Sequence, residues 1–279
     1  MGEGDQVQQL NFFTENTDQE LDKVITFLKG IPNFERKLGR ILRKSIDEVV
    51  NGRYTGRYSI EQLDKTEKTY IGTRVQHMLQ HELDLPYGEV MDALVDGIEV
   101  DIKFTIGKNW TIPLEADGHI CLLISADDNK SIFQAGCLRI SSEVLNSGKN
   151  RDSKRTINAE GRELITWLVS NGSLPGNALL KLDPEVIKKV YSKKSGQERI
   201  NELFRSCPGI VFNGAAIESV AMQKDSSKRV RDARNIWLKP EGISIYSGKY
   251  DNDKLLEKGL SPLEKDEFMS FYDLESETN

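Results

Sequence analysis

Apolar positions with a helical period open the chain. Between residues 19 and 50 they recur every three or four positions, with one interruption at Gly30-Ile31-Pro32, and this pattern predicts two helices. Asp64, with Glu67 three residues on, forms a capping-box pattern that predicts a third helix reaching about Leu83. The predicted buried stripe of this helix consists of Ile71, Val75, Met78 and Leu79.

Two segments of alternating polarity flank Asp96-Gly97, and they are the most informative pattern in the sequence. An Asp-Gly pair between such segments predicts a β-hairpin with a two-residue turn, in which Val95 lies opposite Ile98. Counting outward from the turn places Asp92 opposite Asp101. The reverse face is apolar and suited to a core, since it carries Met91, Ala93, Val95, Ile98, Val100, Ile102 and Phe104.

Asp92, Asp101 and Lys103 share the polar face of this hairpin. Two like charges directly across a strand pair are destabilising unless a cation neutralises them, and carboxylates whose Cβ atoms lie about 5 Å apart can share one hard metal ion. The lysine would then face whatever the metal holds. Metal-assisted phosphodiester cleavage needs this arrangement. An ordinary hairpin with a charged, solvated outer face explains the same residues, and the hairpin alone does not decide between the two interpretations.

Two buried strands, at residues 119–125 and 133–140, follow the hairpin. Together with the helices they predict an α/β (α+β) domain with a mixed central sheet flanked by helices. A polar, basic connector from Gly148 to Arg155 predicts the domain boundary. We therefore expect residues 1–156 to form the first domain and residues 157–279 the second.

Helices dominate the prediction for the second domain. Two of them are predicted to begin at Asp183-Pro184 and at Ser195, each with a good N-cap. Residues 236–246 predict two short strands around a Pro-Glu-Gly turn, as in a wing. This pattern favours a mainly helical winged-helix (helix-turn-helix) domain that binds DNA, and helical packing without DNA is the alternative. An earlier helix in this domain is predicted to carry Leu164, Ile165, Trp167 and Leu168.

A net charge of −6 over 279 residues argues against a nucleic-acid partner, but the distribution of the charge matters more than the sum. Residues 251–279 hold nine acidic and three basic side chains, a net of −6, so the rest of the chain is balanced. This acidic C-terminal tail is expected to be solvated or loosely docked. Elsewhere the basic residues cluster, as in proteins that bind DNA. The candidate DNA-binding residues are Arg53, Arg57, Lys108, Lys149, Arg151, Lys154, Arg155, Lys228, Arg229, Arg231 and Arg234.

Other classes of protein find little support in the sequence. No run approaches the roughly 18 apolar residues of a membrane span, and the acidic, polar N-terminus is unlike a secretory signal. Cys121, Cys137 and Cys207 are widely separated, which predicts reduced thiols in a cytoplasmic protein rather than a disulfide framework or a zinc site. His77 and His81 share a helix face but lack further ligands, so we expect them at the surface. No phosphate-binding loop, dinucleotide fingerprint or local nucleophile motif is present.

The spacing of Asp92, eight intervening residues and Asp101-Ile102-Lys103 resembles the signature of the PD-(D/E)xK nucleases, as it occurs in NaeI-type type II restriction endonucleases. Similarity to that family extends over about residues 20–250, well beyond the hairpin. It is carried by Thr66–Val75, Asn109–Pro113, Gly118–Leu122, Ala126–Asp128, Asn150–Thr156 and Lys228–Arg234.

This resemblance implies a Mg²⁺-dependent, site-specific double-strand endodeoxyribonuclease of a prokaryotic, cytoplasmic restriction–modification system, which also contains a cognate DNA methyltransferase. A homodimer is implied, in which N-terminal nuclease domains cleave double-stranded DNA to 5′-phosphate and 3′-hydroxyl ends. The C-terminal winged-helix domain would bind a second copy of the site, an effector, and activate cleavage. By the same resemblance, Asp92 and Asp101 hold Mg²⁺ and Lys103 acts on the attacking water.

The resemblance departs from the family pattern at Gln76, where the family's helix contributes an acidic residue. The mismatch-repair nicking enzyme MutH has a comparable pattern of lysine, glycine and glutamate, which Lys68, Gly72 and Gln76 match except at the last position. Glutamine can orient water or a ligand but brings no charge. We therefore expect Gln76 in the catalytic group, without the ligand for a second metal ion. A MutH-like repair nickase and a non-catalytic DNA-binding regulator are the alternative functions.

Overall fold

Helices and a mixed sheet make up the N-terminal part of the computed structural model, which describes residues 18–148 and 150–273. The helices before the sheet begin and end close to the predicted positions, including the break after Gly30 and the capping box of Asp64 and Glu67. All four residues of the predicted stripe are buried. These helices are α1 (Gln19–Gly30), α2 (Phe34–Val50), the short α3 (Gly52–Thr55) and α4 (Lys65–Glu82).

The central sheet has five strands in the described part of the chain. Its strands are β1 (Ala93–Val95), β2 (Ile98–Thr105), β4 (Ile120–Asp127), β5 (Ile132–Arg139) and β7 (Thr166–Ser173), in the order β1-β2-β4-β5-β7. Strands β2 and β4 are parallel, and the other neighbours are antiparallel. The predicted mixed α/β architecture is confirmed. A separate small ladder joins β3 (Thr111–Ile112) to β6 (Arg155–Thr156), and α5 (Ala159–Glu163) follows it.

The hairpin of β1 and β2 has the predicted register, with Val95 paired to Ile98. Asp96 and Gly97 both adopt positive φ, 52° and 76°, as a tight turn that follows the strand twist requires. Its apolar face joins helices α1, α2 and α4 in one core, which includes Ala93, Val95, Val100 and Ile102. The other face of the sheet, which bears the polar hairpin residues, is partly covered by a second core around Trp110, Cys121 and Leu138.

Strand β7 corrects the sequence analysis, which expected a helix around residues 164–168. Gly136 of β5 pairs with Trp167, and a Cβ on Gly136 would overlap Ile165, so the two segments pack as adjacent strands. The helical prediction was wrong because the apolar positions Leu164, Ile165, Trp167 and Leu168 form a run too short for periodicity to distinguish a helix from a strand. Since the sheet continues to Ser173, a boundary at residue 156 would divide it. We propose that the first domain ends after Ser173.

The C-terminal part combines helices with a sheet of three strands in the order β8-β10-β9. The helices predicted after Asp183 and Ser195 are confirmed. The expected hairpin within residues 236–246 is wrong: Ala233–Trp237 continues the preceding helix as a π-helical turn, and β9 pairs with β10. The elements are α6 (Pro184–Tyr191), α7 (Gly196–Ser206), β8 (Phe212–Asn213), α8 (Gly214–Ala221), α9 (Ser226–Asp232), β9 (Ile243–Ser247), α10 (Asn252–Glu257) and β10 (Glu267–Tyr272).

The acidic segment from residue 251 to residue 273 is folded, contrary to the expectation of a solvated or loosely docked tail. Strand β10 lies between β8 and β9, with Met269 and Ser270 buried. Asp251 is buried too and accepts a hydrogen bond of 2.6 Å from Arg234. Charge counting missed this strand because its carboxylates lie at the ends of an apolar run, Phe268–Phe271. Residues 274–279 lie outside the described residues.

Residues 52–58 connect the two parts of the chain. Gly52 packs so closely on α8 that a Cβ would overlap Ser219. Tyr58 stacks on Tyr191 with ring centroids 6.2 Å apart, and the Tyr191 hydroxyl donates a 3.0 Å hydrogen bond to the Gly56 carbonyl. No helix among residues 18–148 and 150–273 is long and apolar enough to cross a membrane.

Candidate active site

The hairpin and helix α4 bring the predicted catalytic residues together. Asp92 directly precedes β1, Asp101 and Lys103 lie on β2, and Gln76 lies on α4. Lys103 Nζ is 2.6 Å from Asp101 Oδ1 and 3.9 Å from Asp92 Oδ2. The ammonium group therefore sits between two carboxylates, where it offsets their repulsion.

Hydrogen bonds fix Asp92 at both its carboxylate and its backbone. Gln76 Nε2 donates to Oδ1 at 2.8 Å, and the backbone N–H of Ile102 donates to Oδ2 at 2.8 Å. Gln80, one turn further along α4, donates from Nε2 to the Asp92 carbonyl oxygen at 2.6 Å. Gln80 was not among the predicted site residues. Its spacing of four from Gln76 places both amides on one face of α4 and was the signal available in the sequence.

Asp101 is buried, with a side-chain exposure of 6%. The thiol of Cys121 lies 3.6 Å from its Oδ2 and can donate a weak hydrogen bond there. Cys121 reaches this position because β2 and β4 are parallel with Asp101 paired to Cys121. Sequence analysis treated Cys121 only as a buried thiol, since nothing local specifies a parallel register. Burial raises the pKa of this thiol well above its ordinary value, so it acts as a neutral donor.

Asp92 is the carboxylate whose protonation responds to conditions near neutral pH. Burial, together with the hydrogen-bond interaction with Asp101, raises the pKa of Asp92 to about 6. The Ile102 N–H and the Lys103 charge act in the opposite direction but do not cancel the rise. Two carboxylates that share a site resist simultaneous ionisation unless a cation joins them.

The donor set fits a hard divalent cation such as Mg²⁺. Asp92 and Asp101 offer carboxylate oxygens on adjacent segments, and Lys103 marks a position between them that suits a positive charge. Within the described ranges, no group of three or more His, Cys, Asp and Glu side chains is placed to hold a metal. Mg²⁺ is commonly held by one or two carboxylates together with waters and substrate phosphate oxygens, so two carboxylates are a sufficient protein contribution.

The raised pKa of Asp92 predicts that Mg²⁺ stabilises the protein more at pH 7.5 than at pH 5. A raised carboxyl pKa means that the folded state retains its proton up to about pH 6, and a protonated Asp92 binds cations poorly. For an affinity on the order of 1 mM, 10 mM Mg²⁺ should stabilise the protein by about 1.4 kcal/mol at pH 7.5, roughly 3 °C in Tm, and by about a quarter of that at pH 5. Differential scanning calorimetry measures both shifts. Equal shifts in Asp101→Asn would place the bound ion elsewhere.

Three of the candidate DNA-binding arginines are engaged within the protein. Arg57 forms a two-pronged ion pair with Glu67, with both N–O distances 2.8 Å. Arg155 donates to backbone carbonyls of the preceding segment, and Arg234 pairs with Asp251. Arginines held in this way stabilise loops and helices, so their availability to a phosphate is reduced.

The side chains available to DNA are those at the surface. Lys108, Arg151 and Lys154 are exposed on loops of the first part, while Lys228 and Arg231 are exposed on α9. The last two are separated by three residues and therefore lie on the same side of their helix. These five are the exposed candidates for contact with phosphates; among them, Arg231 Nε lies 4.0 Å from Asp232 Oδ1, a long ion pair.

The remaining candidates are intermediate or lie outside the description. Arg53 is half-buried and its guanidinium lies 4.9 Å from the centre of the Tyr54 ring. Arg229 is half-buried and donates to Gln223. Lys149 falls outside the described residues.

Comparison with known proteins identifies similar sequences over most of the chain. The family model described as restriction endonuclease NaeI matches residues 23–272. A curated relative from Lentzea aerocolonigenes, the type II restriction enzyme NaeI, is 39% identical over 248 residues. That alignment covers 85% of this chain and 77% of the relative.

Proposed function

The chain belongs to the restriction endonuclease NaeI family and is a type II site-specific deoxyribonuclease, and from this premise we propose that it cleaves both strands of DNA with Mg²⁺ held by Asp92 and Asp101. The observation that carries the proposal is the contact of Lys103 with both carboxylates, at 2.6 Å and 3.9 Å. Within the described part of the chain, none of these three charges forms an ion pair outside the group.

Each residue of this group has a chemical role in hydrolysis of a phosphodiester. Mg²⁺ would supply charge neutralisation at the phosphate and acidify a bound water. Lys103 lies beside the carboxylates, where its ammonium group can orient the attacking water and stabilise the hydroxide that forms from it. Asp92 and Asp101 must both be ionised, and the N–H groups of Gln76 and Ile102 keep the Asp92 oxygens in place. In-line attack breaks the bond between phosphorus and O3′, leaving a 5′-phosphate and a 3′-hydroxyl.

Gln76 supports a proposal of one catalytic metal ion for each active site. Its amide donates to Asp92 and adds no negative charge, whereas an acidic residue would repel that carboxylate and need a further cation. With Gln76 as a positioning donor, the protein contributes two carboxylates rather than three.

We also propose that the C-terminal part is a winged-helix domain. In chain order it has α7, β8, α8, α9, β9 and β10, and β10 pairs between β8 and β9. Helices α8 and α9, joined at Met222–Asp225, would be the helix-turn-helix, which differs from the helices after Asp183 and Ser195 that the sequence favoured. Helix α9 would enter the major groove, because it carries the exposed Lys228 and Arg231.

Three further proposals concern partners of the protein. A second DNA site, bound through α9, would act as an effector of cleavage by the first domain. A homodimer would place two active sites on opposite strands, as double-strand cleavage at one site requires. A cognate methyltransferase would protect the host's copies of that site without contacting this protein.

A plasmid with one recognition site, mapped beforehand, tests cleavage and activation together. We expect Mg²⁺-dependent linear product that EDTA abolishes, and a rise of about tenfold in rate when a short duplex with the same site is added. The variant Lys228→Ala/Arg231→Ala should lose this stimulation and, with fewer phosphate contacts, show a shallower dependence of binding on salt. Lys258→Ala/Lys265→Ala removes the same charge from other exposed positions and should behave as the unmodified protein.

Different outcomes of this assay contradict different parts of the proposal. Nicked circles that never become linear would contradict double-strand cleavage and support a nickase. Sequence-specific binding without cleavage in Mg²⁺ would support a regulator. Stimulation that survives in Lys228→Ala/Arg231→Ala would remove α9 from the effector site.

A further inference from the structure

The loop Tyr87–Met91, which leads into the catalytic Asp92, is held by a single side chain from the neighbouring strand. The carboxylate of Glu99 accepts hydrogen bonds from the backbone N–H groups of Glu89 at 2.7 Å, Val90 at 3.3 Å and Met91 at 2.8 Å. One carboxylate therefore fixes three consecutive backbone groups of the loop.

Backbone contacts close the same loop from its other side. The Leu94 N–H donates to the Pro86 carbonyl at 2.8 Å, and Tyr87 forms a β-bridge with Ala93. At Gly88 a Cβ would overlap both the Glu99 carboxylate and the Met91 carbonyl, so only glycine allows this closure. The loop is therefore held on both sides by the strands that carry the active site.

This rigid loop presents two large apolar side chains to solvent. Tyr87 is 75% exposed and Val90 is 65% exposed. Neighbouring Cα atoms are about 3.8 Å apart, so the Val90 Cα lies within roughly 7.6 Å of the Asp92 Cα. The bridge to Ala93 brings the Tyr87 backbone to about 5 Å from the residue after Asp92. A DNA strand whose phosphate reaches Asp92 would therefore lie close to the backbone of both residues.

We propose that Tyr87 and Val90 read DNA sequence at the nucleotides flanking the cleaved phosphate. This inference rests on the proposed role of Asp92. Contacts with phosphates come mostly from charged and polar groups and carry no sequence information directly, whereas apolar side chains contact base edges and the thymine methyl group. Tyr87 adds a hydroxyl that can donate to or accept from a base. Glu99 is the positioning residue, because it sets the loop conformation before DNA binds.

The test measures discrimination rather than cleavage. A cognate duplex is first selected from a random-sequence pool. This duplex and its single-base variants are then titrated with two proteins, the Asp101→Asn variant and the Asp101→Asn/Tyr87→Ala double variant. Tyr87→Ala should weaken binding of the cognate duplex about 10- to 100-fold. It should weaken binding of duplexes altered beside the cleaved phosphate much less, so the Kd ratio, altered duplex over cognate duplex, should fall. The salt dependence of binding should be unchanged, because no phosphate contact is lost. Val90→Ser should act in the same direction with a smaller effect.

Matched variants separate this reading role from a structural one. Tyr250→Ala removes a tyrosine that is 70% exposed elsewhere and should leave the Kd ratio unchanged. The Tm of Tyr87→Ala should stay within about 2 °C of the parent, since an exposed side chain is lost. Glu99→Ala should lower the ratio while leaving Tyr87 in place, and Glu99→Gln, which retains an acceptor oxygen, should recover part of it.

Two results would overturn the proposal. An equal loss of affinity for cognate and altered duplexes would make the loop a general contact without a reading role. A change in sedimentation mass in Tyr87→Ala would assign the exposed side chains to contact between copies of the chain. The titrations contain EDTA and no Mg²⁺, so they measure binding whether or not Asp92 and Asp101 hold the catalytic metal.

Discussion

Asp101→Asn is expected to abolish cleavage, with a fall in rate of at least about 10³-fold, while specific DNA binding persists. Asparagine keeps the shape and an acceptor oxygen for Lys103 at the position of Oδ1, but it removes the charge that a divalent cation requires. The measurement is single-turnover cleavage at saturating protein, with gel-shift titration of the same duplex. Separating the two readouts distinguishes loss of chemistry from loss of affinity.

Asp117→Asn provides the matched control for this substitution. Asp117 is an exposed aspartate in the same domain, so the same chemical change there should leave the cleavage rate within about twofold. Full cleavage by Asp101→Asn would show that the carboxylate pair is not the metal site. Loss of binding and of thermal stability in that variant would instead show that Asp101 supports the fold of β2.

The core of this site was predictable because the signals that place it are local. An Asp-Gly turn fixes the register of a hairpin, and the period of two then decides which side chains share a face. Asp101 and Lys103 follow from those rules together with the position of Asp92. The capping box of Asp64 similarly fixes where α4 begins, whereas Gln76 was assigned to the site only by the family resemblance.

The supporting residues could not be predicted, because their positions depend on pairings distant in sequence. Cys121 meets Asp101 only through the parallel register of β2 with β4, which no turn specifies. Glu99 was one charge among several on the hairpin until the loop before Asp92 was seen to fold onto it. Tertiary pairing also placed β7 in the first sheet and β10 in the second.

Pairings distant in sequence also explain why some basic residues were wrongly expected to be available to DNA. Clusters of Lys and Arg predict a binding surface only when their charges remain free, and the sequence does not show which carboxylates fold against them. Arg57 is paired with Glu67 and Arg234 with Asp251, whereas Lys228 and Arg231 remain exposed. Partners such as Asp251 lie in the segment that was expected to be a loose tail.

Lys103→Met is expected to lower the cleavage rate about 10²- to 10⁴-fold and at the same time to strengthen Mg²⁺ binding at pH 8. The methionine fills a similar volume without the ammonium group that now contacts both carboxylates. Removing that charge leaves two ionised carboxylates facing each other, which favours any cation that replaces it. The measurements are single-turnover cleavage and calorimetric titration of Mg²⁺ without DNA. The titration is done at pH 8 because the Lys103 charge lowers the Asp92 pKa, which should rise above about 6 in the variant.

Opposite changes in rate and metal affinity would be hard to obtain from a structural defect, since damage to the site weakens both. Lys103→Arg extends the argument, because arginine keeps a positive charge but does not exchange a proton near neutral pH. If Lys103 acts only by its charge, the arginine variant should retain much of the rate. If it also moves the proton of the attacking water, that variant should be nearly as slow as Lys103→Met. Weaker Mg²⁺ binding in Lys103→Met would instead mean that the lysine organises the carboxylates for the metal, and the role proposed for it would need to be reassigned.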